Sequence, residues 1–390
     1  MKNKLIPFVG LFILFSYSFL WAEGNQLMLE TRGVWIDKSD VYKGKESLIA
    51  MFDKLTAANF NLVCLPVLHR GYVIYPDSKI LPQDPKAIEV DKDILQWMIN
   101  QAHQRGLMVE SWPEFGFYAY WTKDATKDTS RGVMLDKEPE LTAIDINGLP
   151  YLHNKDWGDF YSLCPSNPKS QKIMINLLCE PISRYQFDGL NLDRIRYPTK
   201  EFCFCAYCKK QFKKDTGIEL SKQNLENGEA LKKFYTWRKE QLNKFMQKLS
   251  KKVRKLRPDY AKASSGKPGF LITADVWIPE EIDGKGQDWP TWLKKGYITL
   301  AIPMMYWENI EGGLNDSLKI SPDSRRILAG ISAETNSSEQ LANQIELARK
   351  KNCGGVVVWY LGKLDDDLEY LKTTVFKEPS KPYLPKGNSK

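Results

Sequence analysis

The chain has 390 residues, of which 43% are hydrophobic and 12% aromatic, enough to bury a substantial core and too much for an intrinsically disordered polypeptide. Its formal charge of +8 becomes +6 over residues 23–390, with 54 basic against 48 acidic residues, because residues 1–22 carry two lysines and no acid. That excess suits anionic partners such as wall polymers, but its densest stretch, 232–257, reads as a solvated helix face, and no nucleic-acid partner is expected.

Lys2 and Lys4 precede an apolar run over 5–21, and polarity returns at Glu23, the pattern of a secretory signal peptide over 1–22. No cysteine follows the run to carry a lipid, and no second hydrophobic stretch succeeds it. The mature chain is therefore expected to be periplasmic or extracellular, with no stable membrane anchor.

From there a unit of helix, short turn and strand repeats. Helices are predicted at 45–58, 91–105, 169–185, 229–256 and 338–351, several closing on a small or basic cluster such as Gln104-Arg105-Gly106, after which an apolar run starts at once. The runs predict strands at 31–36, 61–68, 107–112, 189–195, 270–277, 299–307, 326–333 and 355–360. Strands alternating with helices imply a parallel sheet, and eight such units imply an α/β fold of the TIM (β/α)8 barrel type, one domain over 23–376. The connections at 115–168 and 199–228, after strands three and four, far exceed the usual length of about two to six residues. Both fall on the carboxyl-end face, where long loops form lids and substrate walls. The Pro-, Lys- and Ser-rich segment 377–390 predicts a disordered tail.

Along 187–198, FDGLNLDRIRYP, Leu190 and Leu192 share one face and Asn191 and Asp193 the other, and the apolar run stops in charge at the strand's carboxyl end. That end is where barrels carry out chemistry. Placing the other strand ends on the same face gathers Trp35, Asp37, His69, Arg70, Trp112, Glu114, Asp193, Arg196, Tyr197, Asp275, Trp277, Tyr306, Trp307, Glu308, Glu334, Trp359 and Tyr360. Indole rings stack on the C–H faces of sugars and carboxylates bond their hydroxyls, so five tryptophans among acids suit an oligo- or polysaccharide cleft. Glycoside hydrolysis needs two carboxyl groups. Asp193, beside Arg196, suits the nucleophile or base; Asp275, beside Trp277, suits the acid, with Glu308 as the alternative partner. Substrate contacts are expected from Trp35, His69, Trp112, Glu114, Arg196, Tyr197, Trp277, Tyr306, Trp307, Glu334 and Trp359.

Other chemistries lack their motifs: there is no Walker loop, GxSxG elbow, HExxH or dinucleotide fingerprint. Seven cysteines are not a disulfide framework, being odd in number. Cys203, Cys205 and Cys208 form CFCAYC, which has the spacing of part of a zinc or redox site. No fourth ligand is evident, so these thiols are expected to order a loop, reduced or locally bridged, and neither a metal nor a cofactor is expected. Two rivals stay open, a glycan-binding barrel without catalysis and a metal-dependent hydrolase using the CFCAYC loop.

The motifs TRGVWID at 31–37, AHQRGLMVESW at 102–112, FDGLNLDRIRYP at 187–198 and IPMMYW at 302–307, in this order, resemble glycosyl-hydrolase-like family 10, a group of exported bacterial proteins. The resemblance implies a TIM barrel acting on an oligo- or polysaccharide, with Asp193 at the position of the family's strand-four acid. Two positions depart from the commoner pattern: Arg194 stands where many members carry a second acid, and Glu114 where they carry asparagine.

Overall fold

The computed structural model describes residues 28–258 and 269–385; the expected signal peptide lies outside them. Eight parallel strands alternate with helices along the chain. They are β1 (Thr31–Trp35), β2 (Leu62–Pro66), β3 (Met108–Trp112), β4 (Gly189–Leu192), β5 (Leu271–Val276), β6 (Leu300–Pro303), β7 (Leu328–Ser332) and β8 (Gly355–Trp359). Hydrogen-bonded neighbours run β6-β5-β4-β3-β2-β1-β8-β7. Bridges from Ala301 to Ile327 and from Met304 to Gly330 join β6 to β7 and close the ring. This is the TIM barrel expected.

All residues of β1 to β7 are buried, because each strand faces packed side chains inside the ring and a helix outside it. Outside, α1 (Lys45–Ala57), α2 (Ile94–Gln104), α3 (Pro168–Arg184), α4 (Gly228–Leu256) and α5 (Ser338–Lys350) form much of the surrounding layer. Inside, Leu62, Met108, Leu271, Leu300 and Leu328 fill the amino-end layer, and Trp35 and Trp112 the carboxyl end. The helix–turn–strand boundaries follow local chemistry: Gly106, at φ +76°, ends the turn after α2, and β3 begins two residues later.

The two long connections fold against each other. After β3, strands Tyr118–Thr122, Tyr151–Asn154 and Gly158–Ser162 form an antiparallel sheet. After β4, a loop leads into the helix Ala206–Thr216. Asp145 bridges Phe202, and the Phe204 N–H donates to the Ile144 carbonyl at 2.7 Å. Together they wall one side of the carboxyl-end face.

The disordered-tail expectation is corrected over 377–385. Ser380–Lys381 pairs in parallel with Met28–Leu29, and the Tyr383 N–H donates to Thr31 Oγ1 at 3.0 Å. Tyr383 and Leu384 pack on the inner leucines, so the segment stoppers the amino end of the barrel and exchanges apolar exposure for burial. Residues 386–390 lie outside the described residues.

Candidate active site

Adjacent strands β4 and β5 pair Asn191 with Thr273, and period two turns both side chains inward. Asn191 then works as a hub. Its Nδ2 donates to Asp275 Oδ1 at 2.8 Å and to Thr273 Oγ1 at 2.9 Å, while its Oδ1 accepts from Trp35 Nε1 at 2.9 Å. The Thr273 hydroxyl in turn donates a hydrogen bond to Glu110 Oε2 at 2.6 Å. Glu110 is wholly buried inside the ring, and that burial raises its pKa to about 7. Gly189 makes room for it, since a Cβ there would lie 2.7 Å from Glu110 Oε1.

Asp275 stands above this network and is 2% exposed. Desolvation pushes its pKa well above the usual carboxylate range, and the negative charge of Asp193 adds to the rise, against the Asn191 hydrogen bond and Arg196. Asp193 follows the Leu192–Ala274 pair directly, at the end of the neighbouring strand. Its Oδ1 accepts the Arg194 N–H at 2.6 Å, and its carboxylate lies 3.5 Å from the Arg194 guanidinium and 4.0 Å from that of Arg196. The Arg196 Nε and Nη1 are buried without hydrogen-bond partners among the described residues. Tyr306 joins the group: the charges of Asp275 and Asp193 add to desolvation in raising its hydroxyl's pKa.

A buried carboxyl whose pKa is raised, beside a carboxylate flanked by two arginines at the carboxyl end of a barrel, is an arrangement able to donate one proton and supply one nucleophile or base. The comparisons with known proteins bear on what it serves. The model of the family described as glycosyl hydrolase-like 10 matches residues 30–317. The chain belongs to that family. The protein named glycosyl hydrolase DigH, from Escherichia coli strain K12, is 25% identical over 285 residues, which cover 67% of this chain and 58% of DigH. The chain thus spans less than two thirds of that relative's length. Among solved structures, the PgaB (BpsB) glycoside hydrolase domain from Bordetella bronchiseptica superposes with a TM-score of 0.66 at 13% identity, covering 88% of this chain and 98% of that one. The catalytic domain of a β-amylase from Paenibacillus polymyxa gives 0.60 at 12% identity, covering 90% and 99%. At such identities the likeness is one of fold.

Within this glycosyl hydrolase-like 10 barrel the residues read as one cleft divide into three groups. Asp193, Asp275, Arg196 and Tyr306 come together as described. Trp277, Trp307, Glu334 and Trp359 keep exposure at the rim: Arg196 and Lys285 lie over the Trp277 ring at 5.6 and 4.9 Å, and Trp359 Nε1 faces Glu334 Oε2 at 3.3 Å. Glu308 is exposed on the loop after β6, apart from the buried pair's hydrogen-bond network.

In the third group, burial against other protein groups corrects the expectation of direct substrate contact for Tyr197, Trp35, Trp112 and His69. Tyr197 is fully buried, its hydroxyl 2.6 Å from Ser166 Oγ and its ring 4.7 Å beneath the Arg238 guanidinium, because the chain turns inward after Arg196. Trp35 and Trp112 are each 1% exposed; they floor the cleft and carry Trp359 edge-on at 6.3 and 5.8 Å. His69 is buried too, with Nε2 2.8 Å from Asp84 Oδ2. Glu114 is 7% exposed and engages Arg194 at 3.4 Å and Lys38 at 3.9 Å, so it positions the arginine beside Asp193.

Sequence reasoning passed over Glu110, Asn191 and Thr273 as members of the site. The signal was present, since each is a polar residue that period two turns inward on a wholly buried strand. It also found no fourth partner for CFCAYC, and the structure supplies one in Cys164.

Proposed function

We propose that the chain is an exported glycoside hydrolase that cleaves O-glycosidic bonds of an oligo- or polysaccharide, with Asp275 as general acid and Asp193 as nucleophile or base. The observation that carries this reading is the unequal surroundings of the two carboxyls, Asp275 buried and bonded to Asn191, Asp193 beside two guanidinium groups. Burial and the negative charge of Asp193 both disfavour loss of the Asp275 proton, the direction that proton donation to a leaving oxygen requires. The guanidinium groups of Arg194 and Arg196 lie 3.5 and 4.0 Å from the Asp193 carboxylate, where they can meet charge on a nucleophile or base. Asn191 holds Asp275 in place, and Arg196 stands beside the pair with its buried Nε and Nη1 unpartnered among the described residues.

Trp277, Trp307 and Trp359 supply partly exposed indole faces for sugar rings around the pair. Export rests on the run from Lys2 to Trp21, and a cell-wall glycan is the substrate class that this location and the positive charge favour. Release of reducing ends from a glycan panel that includes peptidoglycan strands tests the activity. Turnover of one member by the wild type, lost in Asp193→Asn, is the expected result. Glycan binding by the wild type with no turnover on any member would instead make this barrel a lectin-like binder.

A further inference from the structure

Four of the seven cysteines meet in space. Cys164 ends the excursion after β3, while Cys203, Cys205 and Cys208 belong to the loop and helix after β4. Their Sγ atoms all lie within 4.8 Å of one another, with Cys164 3.4 Å from Cys208 and 3.6 Å from Cys205. Those separations exceed the roughly 2.05 Å of a disulfide. They approximate the edges, about 3.8 Å, of a sulfur tetrahedron built from zinc–sulfur bonds of about 2.3 Å. All four residues are buried, the most exposed at 5%.

We propose that Cys164, Cys203, Cys205 and Cys208 form a structural zinc site that clamps the connection after β3 to the connection after β4. Thiols hydrogen-bond weakly, so four of them gathered in a dry pocket gain little from one another as thiols. As thiolates around a soft cation they satisfy every ligand position. The backbone fits that use. Cys205 and Cys208 have the C-x2-C spacing of zinc-binding turns, and Cys205 caps the amino end of the helix Ala206–Thr216, where the helix dipole favours negative charge.

Arg238 is the second, independent observation. This guanidinium is fully buried, donates to the carbonyls of Thr199, Lys200, Phe202, Asp283 and Gly284, and has no carboxylate bonded to it among the described residues. A zinc tetrathiolate carries a net charge of −2, and a buried cation holding the Phe202 carbonyl, next to Cys203, offsets part of it. Four protein ligands leave the metal no open position, so the site holds the cleft wall and takes no part in bond cleavage.

The test is metal analysis of the full chain purified without chelators. About one zinc per chain is expected, with loss in Cys164→Ser and Cys208→Ser and retention in Cys353→Ser, a buried cysteine outside the cluster. Cobalt exchanged into the wild type should show the intense visible bands of a tetrahedral tetrathiolate. Stripping the metal should lower Tm, and added zinc should restore it. Should the serine variants fail to fold, the wild-type metal content and cobalt spectrum still decide. Folded wild type without stoichiometric metal, iron in place of zinc, or two disulfides among these cysteines in a non-reduced peptide map would each overturn the proposal. None of these readouts depends on glycosidase activity.

Discussion

At Asp275, burial and a like-charged neighbour act in the same direction, and both raise the cost of losing its proton. Replacing it by asparagine removes proton donation while keeping the Asn191 contact's shape, so kcat should fall by at least about a hundredfold with Tm little changed. The same loss is expected for Asp193→Asn. Glu308→Gln, on the exposed loop, should act mainly on KM; abolished turnover there, with Asp275→Asn near wild type, would transfer the acid role to Glu308. The alkaline limb of the kcat/KM profile should report Asp275, activity falling as pH rises through its elevated pKa, since only the protonated form donates.

Glu110 makes a separate prediction. Its pKa rises from 4.5 to about 7 on folding, so the folded state binds the proton more tightly than the unfolded chain. Stability from this group is fully present below the unfolded value and is lost as pH climbs through about 7, by about 3 kcal/mol in all. Glu110→Gln keeps the Thr273 partner without the charge. The variant should therefore melt higher than wild type at pH 8 and show a flatter Tm profile between about pH 5 and 8; parallel profiles would mean that Glu110 does not titrate there.

At the scale of elements, strand ends were legible because the barrel's parts are local. A run of apolar residues that stops at Asp193 or Asp275 reports its own carboxyl end, and period two reports which residues point inward. What the excursions after β3 and β4 do is not local. Cys164 and Cys203 are 39 positions apart, with a helix, α3, and a strand, β4, between them, so no spacing rule links them. Tyr197 was misplaced for the same reason, because its burial comes from Ser166 and Arg238 on other elements. One residue shows how tightly the excursion is fitted to the site. Gly116 holds φ +47°, and a Cβ there would fall 2.2 Å from the Asp193 carbonyl oxygen. Gly116→Ala must shift either the loop or Asp193, and strain of about 1–3 kcal/mol is expected from the backbone angle alone. Its Tm should drop and its kcat should fall more than its KM rises; wild-type kinetics would show that the loop yields without moving the carboxylate.

The molecule as a whole has its candidate active site at one end of the barrel and closure at the other. Composition concealed the closure, because Pro, Lys and Ser around Tyr383 and Leu384 read as a free tail, whereas two apolar side chains suffice to cap a ring of leucines. The polar partners are equally distributed over distant segments: Asn61 Nδ2 donates to the Glu30 carbonyl and to Ser380 Oγ at 3.0 Å, and Arg32 reaches the Glu378 carbonyl at 2.8 Å. Removing residues 377–390 would expose Leu62, Met108, Leu271, Leu300 and Leu328 at the barrel mouth and leave Asn61 short of a partner. By analogy with loss of large buried side chains, a destabilisation of about 2–5 kcal/mol is expected. Because Asp193 and Asp275 sit at the opposite end, kcat measured well below the melting transition should remain close to wild type. Thermal melts and kinetics on the truncated chain check both halves of this expectation. An unchanged Tm would show that the segment merely rests on the barrel, and a lost kcat with an intact fold would show that the two ends are coupled through Glu110 and the interior network beneath the site.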